Sequence, residues 1–76
     1  MTPIQKLEIF LSGIAIIVPH ADEEAMQVDL VDTEEHAVYA TGEESGEQYL
    51  IDLNDFNPDD YMFYKLVEER YNPTTE

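Results

Sequence analysis

Apolar side chains recur along this chain first at helical spacing and then at strand spacing. Four of them near the start lie three or four residues apart: Ile4, Leu7, Phe10 and Leu11. This spacing predicts one apolar stripe on a helix. Thr2 and Gln5 form a capping-box pattern around Pro3, so we expect a helix of about ten residues that begins at Pro3. Gly13 is expected to end the helix in a left-handed conformation.

The segment after this helix is rich in β-branched residues. Residues 14–18 read Ile-Ala-Ile-Ile-Val and are followed by Pro19, which favours a short buried strand. One continuous helix to Val18 is the alternative, because the apolar stripe of the first helix also continues through this segment.

A period of two then appears in three segments, Met26–Leu30, His36–Thr41 and Gln48–Leu53. Turn-forming residues separate them at 32–35 and at 42–47. Alternating apolar and polar positions between turns predict three further half-buried strands. Together with the segment ending at Val18, they make a four-stranded antiparallel meander.

The alternation also predicts which side chains share a face. Pairing Tyr39 with Leu50 and Ala37 with Asp52 places one set of side chains on the core face: Val38, Ala40, Tyr49, Ile51 and Leu53. A five-residue turn after Leu30 keeps Met26, Val28 and Leu30 on that face too. The water-facing set is then Gln27, Asp29, Tyr39, Thr41, Gln48 and Asp52. Asp29 and Asp52 are expected to flank Ala37 at about 9.6 Å from each other, which is two strand spacings.

The last third of the chain predicts a second helix. Asn57 is a capping residue, Pro58 suits a first helical turn, and Asp59 and Asp60 complement the helix dipole. One face would be formed by Phe63, Leu66, Val67 and Arg70, and Asn72-Pro73 would end the helix. The expected fold class is α+β: an N-terminal helix, a four-stranded antiparallel β-meander and a C-terminal helix, with both helices packed on one face of the sheet. Residues 1–76 are expected to form a single domain.

Charge changes this picture from a generic small domain to one with a specialised surface. The chain has 18 acidic residues against three basic ones and a formal net charge of −15. No lysine or arginine lies between Leu7 and Tyr64, whereas fifteen of the acids do. The flanks carry three acids and three bases, so the net charge resides wholly in the stretch between Leu7 and Tyr64, the middle of the fold. Self-repulsion of this size destabilises a small fold, which indicates a selective gain elsewhere.

The meander topology predicts where the acids converge. The loops 19–25 and 42–47 should lie side by side at one end of the sheet, and the turn 32–35 should lie near Asp55, Asp59 and Asp60 at the other. Tyr39 would stand among carboxylates, and such a pair suits arginine or lysine of a partner. The expected partner-binding residues are Asp22, Glu23, Glu24, Asp29, Asp32, Glu34, Glu35, Tyr39, Glu43, Glu44, Glu47 and Asp52.

Several function classes are disfavoured by the residues. There is no cysteine, His20 and His36 are not at a metal-ligand spacing, and the region from Asp52 departs from a calcium loop at two positions, so we expect no metal site. There is no cysteine nucleophile and no glycine-rich phosphate cradle, and we expect neither an enzyme nor a cofactor. Direct binding to DNA or RNA is disfavoured because the acidic region has no lysine or arginine to displace counter-ions from phosphates. The longest apolar run, ten residues, is too short to span a membrane.

In charge, size and mixed α and β content, the whole chain resembles the small acidic DNA-mimic inhibitors that phages and mobile elements direct against restriction enzymes, CRISPR effectors and uracil-DNA glycosylases. The resemblance includes no shared motif. It implies that the partner is a basic nucleic-acid-binding protein. The absence of cysteine fits a cytoplasmic protein, and we expect a monomer or homodimer. One alternative is an immunity or antitoxin protein that neutralises a basic toxin. Another is a salt-adapted acidic domain whose charge has no partner.

Overall fold

The computed structural model describes residues 1–21 and 23–74 and contains one α-helix and a six-stranded, wholly antiparallel sheet. The helix is α1, Pro3–Ser12. The strands are β1, Ile16–Pro19; β2, Met26–Asp32; β3, Ala37–Gly42; β4, Gln48–Asp52; β5, Tyr61–Val67; and β6, Arg70–Thr74. They are arranged in the order β4-β3-β2-β1-β5-β6. Helix α1 covers one face of the sheet, and we call the opposite face the open face.

Helix α1 begins and ends where its sequence predicts. The backbone N–H of Gln5 donates to the Thr2 hydroxyl and the Thr2 N–H donates to the Gln5 side chain, so the predicted capping box is present. The helix is ten residues long, as predicted. Gly13 caps its C-terminus with φ −99°, so the expected left-handed conformation was wrong. The next segment forms β1, and the alternative of one continuous helix is therefore rejected.

The second hairpin has the predicted register. Tyr39 pairs with Leu50 and Ala37 pairs with Asp52 across β3 and β4. Val38 and Ala40 are accordingly buried on the core face. The period of two was sufficient here because both strands have one face in the core, and a slip by one residue would expose all of the core side chains.

The predicted C-terminal helix is wrong, and with it the fold as a whole. Residues 61–74 form the hairpin β5–β6, so within residues 1–21 and 23–74 the sheet has six strands and only one helix packs on it. Asn57 does cap a turn, accepting from the N–H of Asp59, but that turn is a single 3-10 turn over Pro58–Asp60. Strand β1 is buried, and the backbone groups on the side that does not pair with β2 need partners. Tyr61 to Tyr64 supply them by pairing with Ile16 to Pro19.

The connection to β5 crosses the sheet on its core face. After β4 the chain makes one 3-10 turn over Leu53–Asp55 and a second over Pro58–Asp60. Leu53 is buried in the core, and the ring of Phe56 stacks on Tyr61 with centroids 4.9 Å apart. This crossing segment occupies the place on the sheet where the second helix was expected.

A β-bulge in β2 changes which side chains face water. Val28 pairs with Ala40 but Leu30 pairs with Tyr39, so Asp29 is an extra residue opposite β3. The alternation of β2 is thereby reversed after Val28, and Leu30 lies on the open face with 55% of its surface exposed. The expectation that Leu30 belongs to the core face was wrong, because a bulge leaves no signal in an alternating pattern this short.

The core consists of α1, the crossing segment and the inner sides of β1, β3 and β5. Its buried side chains are Leu11, Ile14, Ile17, Val38, Leu53 and Phe63. One carboxylate is buried beside it: Oε2 of Glu8 lies 3.0 Å from Nδ1 of His36, which ties α1 to the turn between β2 and β3. Within the described residues, no helix is long and apolar enough to cross a membrane.

Candidate protein-binding surface

The open face of β2, β3 and β4 carries its side chains in three parallel rows across the strands. The middle row is apolar and consists of Leu30, Tyr39 and Leu50. One flanking row is Asp32, Ala37 and Asp52. The other contains Gln27, Thr41 and Gln48, with the bulged Asp29 beside it. We call these nine strand residues together with Asp29 the three-row surface.

Two carboxylates flank Ala37, but one of them is not the predicted residue. Asp52 is in the expected place, whereas the bulge puts Asp32 rather than Asp29 opposite Ala37. Two strand spacings separate Asp32 from Asp52, about 9.6 Å. Asp29 lies further along the face, where its Oδ2 accepts from the Thr41 hydroxyl at 2.5 Å. The surface therefore has three carboxylates around the apolar row.

These carboxylates are held by local hydrogen bonds. Oδ1 of Asp32 accepts from the N–H groups of Glu34 and Glu35 at 2.9 and 3.0 Å. Oδ1 of Asp52 accepts from the backbone N–H and the side-chain amide of Asn54 at 2.9 and 3.0 Å. Such bonds restrict the rotation of short side chains, so both negative charges have fixed positions on the sheet.

Tyr39 joins the apolar row to the acidic turn. Its hydroxyl donates to Oε2 of Glu35 at 3.2 Å. This hydrogen bond, together with the negative charges of Glu35 and Asp32, raises the pKa of Tyr39 above its ordinary value. The ring is partly exposed between Leu30 and Leu50. With Glu35 and Asp32 beside it, Tyr39 stands among carboxylates as the sequence predicts.

The predicted convergence of loops 19–25 and 42–47 is present, and Glu24 binds them together. Its carboxylate accepts from the backbone N–H groups of Glu44 and Ser45, from the Ser45 hydroxyl and from the Tyr49 hydroxyl. The bonds from Ser45, followed by those from Tyr49 and Glu44, lower the pKa of Glu24 to about 2. The same contact with Glu24 raises the pKa of Tyr49 to about 12.

Glu24 therefore differs from its acidic neighbours. Its oxygens are occupied within the fold, so it serves to fix the β3–β4 turn more than to meet a partner. Gly42 makes this possible, because a Cβ at that position would overlap the Glu24 carboxyl group. The exposed acids around this turn are Glu23, Glu43, Glu44 and Glu47. Asp22 lies outside the described residues.

Asp59 and Asp60 lie at the opposite end of the sheet from the one predicted. The His20 N–H donates to the Asp60 carbonyl at 2.8 Å, which places these acids beside loop 19–25. Burial raises the pKa of Tyr61, and the negative charges of Glu23 and then Asp60 raise it further. The error follows from the missing helix, since the crossing segment carries these residues along the whole sheet. Glu34 and Glu35 remain with Asp32 at the other end.

Sequence reasoning missed the apolar row. The predicted pairing of Tyr39 with Leu50 implies that Leu50 faces water, but neither the predicted water-facing set nor the candidate residues include it, and Leu30 is predicted on the core face. Leu50 has 62% of its surface exposed. The only available signal was an apolar residue between the polar Gln48 and Asp52 positions of one strand face.

Among the described residues, no three acidic or histidine side chains are grouped closely enough to hold a metal ion. The chain matches no protein-family model, and comparison with curated proteins and with solved structures finds no significant match either. The geometry of the molecule is therefore the basis for inferring its function.

Proposed function

We propose that this protein is an acidic inhibitor that occupies the basic nucleic-acid-binding groove of a host defence or DNA-processing protein. The observation that carries the proposal is the three-row surface, where Asp29, Asp32 and Asp52 are held at defined positions on a rigid sheet. Acidic ends of the sheet extend this negative surface in both directions.

Fixed carboxylates can replace phosphates in such a groove. Duplex DNA presents about one negative charge per 1.7 Å of its axis, and a protein that reads this charge uses lysine and arginine contacts to phosphate oxygens. Carboxylate oxygens accept the same charge-assisted hydrogen bonds. They contain no phosphodiester bond, so the partner gains a ligand that it cannot cleave.

The few basic residues lie away from this surface. Lys6 belongs to α1, and Lys65 and Arg70 belong to β5 and β6, beyond β1 from the three-row surface. A positive partner therefore approaches β2–β4 without meeting a repelling charge, which speeds its association. The same distribution opposes direct binding to DNA or RNA.

The proposed partner class is supported by the acidic surface and by the resemblance to DNA-mimic inhibitors. Restriction enzymes, CRISPR effectors and uracil-DNA glycosylases act on cytoplasmic DNA, and we place the protein in the same compartment. Stacking two copies through the three-row surface would bring like charges together, so we expect this surface to be free for a partner.

The test is displacement of DNA from defined proteins. Fluorescently labelled duplex is bound to a uracil-DNA glycosylase, a guide-loaded CRISPR nuclease or a type I restriction enzyme, and the acidic chain is titrated in. We expect a fall in anisotropy with at least one of them, reversed by excess duplex and weakened by added salt. The variant D29N/D32N/D52N should require at least about ten times more protein, a loss of about 1.4 kcal/mol.

The matched control is E68Q/E69Q, which removes two acids from the β5–β6 turn and should displace DNA as well as the wild type does. If the chain displaces DNA from none of the three proteins, the proposal is contradicted. So would tight binding of the isolated chain to duplex DNA.

A further inference from the structure

The bulge at Asp29 decides which side chain of β2 enters the core: Val31 pairs with Val38 and packs against the core, whereas Leu30 does not. In a regular strand without the bulge, the alternation of β2 would carry Leu30 inward, as the sequence predicts, and Val31 outward. With it, Leu30 lies on the open face beside Tyr39, more than half exposed. Bulges often re-aim side chains next to functional sites. Placing Val31 rather than the larger Leu30 on the core face forgoes part of the hydrophobic stabilisation that leucine burial would give, which indicates a role for this leucine outside the fold.

Leu50 reinforces the same feature from the other side. It pairs with Tyr39 on β4, so Leu30, Tyr39 and Leu50 form a continuous apolar row across three strands. Successive rows lie about 6.8 Å apart, two residues along a strand. The row is therefore bordered on one side by Asp32 and Asp52 and on the other by Asp29. DNA has no counterpart of an exposed leucine-containing row bordered by carboxylates.

We propose that the Leu30–Tyr39–Leu50 row is the anchor for an arginine-bearing protein surface, whose apolar stems cover the row while its guanidinium groups reach the carboxylates on either side. This inference rests on the proposed function and specifies the partner's chemistry. Arginine combines an aliphatic stem, a planar head that stacks on tyrosine, and a fork that matches carboxylate. A charged rim around an apolar centre is also the anatomy of stable protein interfaces.

Charge complementarity selects this occupant over a second copy of the chain. Two copies stacked through the row would oppose their aspartates, within molecules that each carry a net charge of −15. A positive surface with apolar stems relieves the repulsion and buries the leucines at once. Binding should therefore have two parts, an electrostatic part that salt weakens and an apolar part that it does not.

Two heptapeptides test this: one with four arginines alternating with three leucines, the other with four arginines alternating with three serines. Each is titrated into the ¹⁵N-labelled full chain and followed by amide chemical shifts. We expect the leucine peptide to bind about ten times more tightly, equivalent to burying about two CH₂ groups, with its shifts concentrated in β2, β3 and β4. The serine peptide should bind weakly through the exposed acids of the whole chain.

Variants identify the row as the cause. L30T/L50T should reduce affinity for the leucine peptide to that for the serine peptide, with the same salt dependence as the wild type. M62T/L66T is the matched control, since it removes two exposed apolar side chains from the β5 part of the open face, and should change neither affinity. D32N/D52N should instead lower the salt dependence for both peptides.

The outcomes separate the two proposals. If neither peptide binds, both the proposed function and this inference are overturned. If both peptides bind equally, or if M62T/L66T weakens binding as much as L30T/L50T, the acidic function stands and the apolar anchor is overturned. Light scattering of the free chain completes the test: a dimer that L30T/L50T dissociates would assign the row to a second copy and overturn the inference.

Discussion

Neutralising two aspartates of the three-row surface should stabilise the free protein while weakening its binding. The variant D32N/D52N is suited to this because both hydrogen-bond networks use Oδ1, and an asparagine Oδ1 can accept the same bonds. The substitution therefore removes charge and leaves the turns capped. Any change in the free energy of unfolding then reports repulsion among the acids.

The size of the effect follows from the charge and dimensions of the fold. At about 9.6 Å, Asp32 and Asp52 repel each other by about 0.4 kcal/mol in water. The remaining acids matter more, because a net charge of −15 less the two removed leaves −13 acting on both sites. With a radius of gyration of 11.7 Å, typical charge separations are about 16 Å, and each such pair contributes about 0.15 kcal/mol in about 0.01 M salt.

The unfolded chain, with a radius of gyration of about 27 Å, retains only about a fifth of that repulsion. The variant should therefore be about 3 kcal/mol more stable than the wild type in about 0.01 M salt, less than about 1 kcal/mol more stable in about 0.15 M, and equal to it in about 1 M. Against a total stability of about 4–11 kcal/mol for a domain of this length, the low-salt difference is large.

Urea unfolding at the three salt concentrations, followed by far-ultraviolet circular dichroism, measures these differences. Urea is uncharged, so the denaturant itself does not change the ionic strength. E68Q/E69Q is the control with equal charge change. It should gain less, because its two acids are flanked in sequence by Lys65 and Arg70. Equal stability of D32N/D52N and wild type at low salt would refute this reasoning, as would a difference that persists in molar salt. A wild type that is unfolded below molar salt would instead establish a salt-adapted domain.

Three further predictions concern the fold that presents this surface. L11A should lower the free energy of unfolding by about 3–5 kcal/mol, because Leu11 is fully buried among Ile14, Val38 and Phe63; a loss under about 1 kcal/mol would contradict the core assignment. E69G should raise the free energy of unfolding by about 1 kcal/mol, because Glu69 has φ 65° in the β5–β6 turn, a conformation that glycine adopts without strain; urea unfolding that shows no gain would argue against this turn. The third prediction is a pH dependence: because the pKa of Glu24 is lowered from 4.5 to about 2 in the fold, the charged form stabilises the protein fully above about pH 4.5 and loses this effect as the pH falls towards 2. Urea unfolding across that range should therefore show the advantage of wild type over E24Q shrinking with acid, and a constant difference would contradict the hydrogen-bond network around Glu24.

Some parts of the structure could be predicted from residues close together in the sequence. Thr2, Pro3 and Gln5 define the start of α1 because a capping box closes within four residues. The β3–β4 register followed from alternation on two strands joined by a short loop. The meeting of loops 19–25 and 42–47 followed from meander topology. The acidic region is a property of composition, so the expectation of a negative surface on β2–β4 needed no coordinates.

The C-terminal part depended on a contact between distant segments. Asn57, Pro58 and the two following aspartates carry helix-start signals, and locally they do form one 3-10 turn. The residues after them could form either a helix or a strand. The side of β1 that does not pair with β2 favours a strand at this position. Pairing with β5 satisfies backbone groups of the buried β1 that a packed helix would leave without partners. The aromatic residues and the valine of 61–67 are compatible with a strand, but the pairing with β1 cannot be read from them alone.

Some features of the candidate site could be predicted from the sequence, and others depend on the tertiary structure. The sequence by itself determined the acidity, the exposure of Tyr39 and the place of Asp52 opposite Ala37. Only the tertiary structure decided that Asp32 rather than Asp29 completes that row, that Glu24 is engaged within the fold, and that Leu30 faces water. The physical reason is the same in each case: a bulge or a side-chain hydrogen bond across two loops depends on how strands meet in space, whereas charge and alternation are already present in the order of the residues.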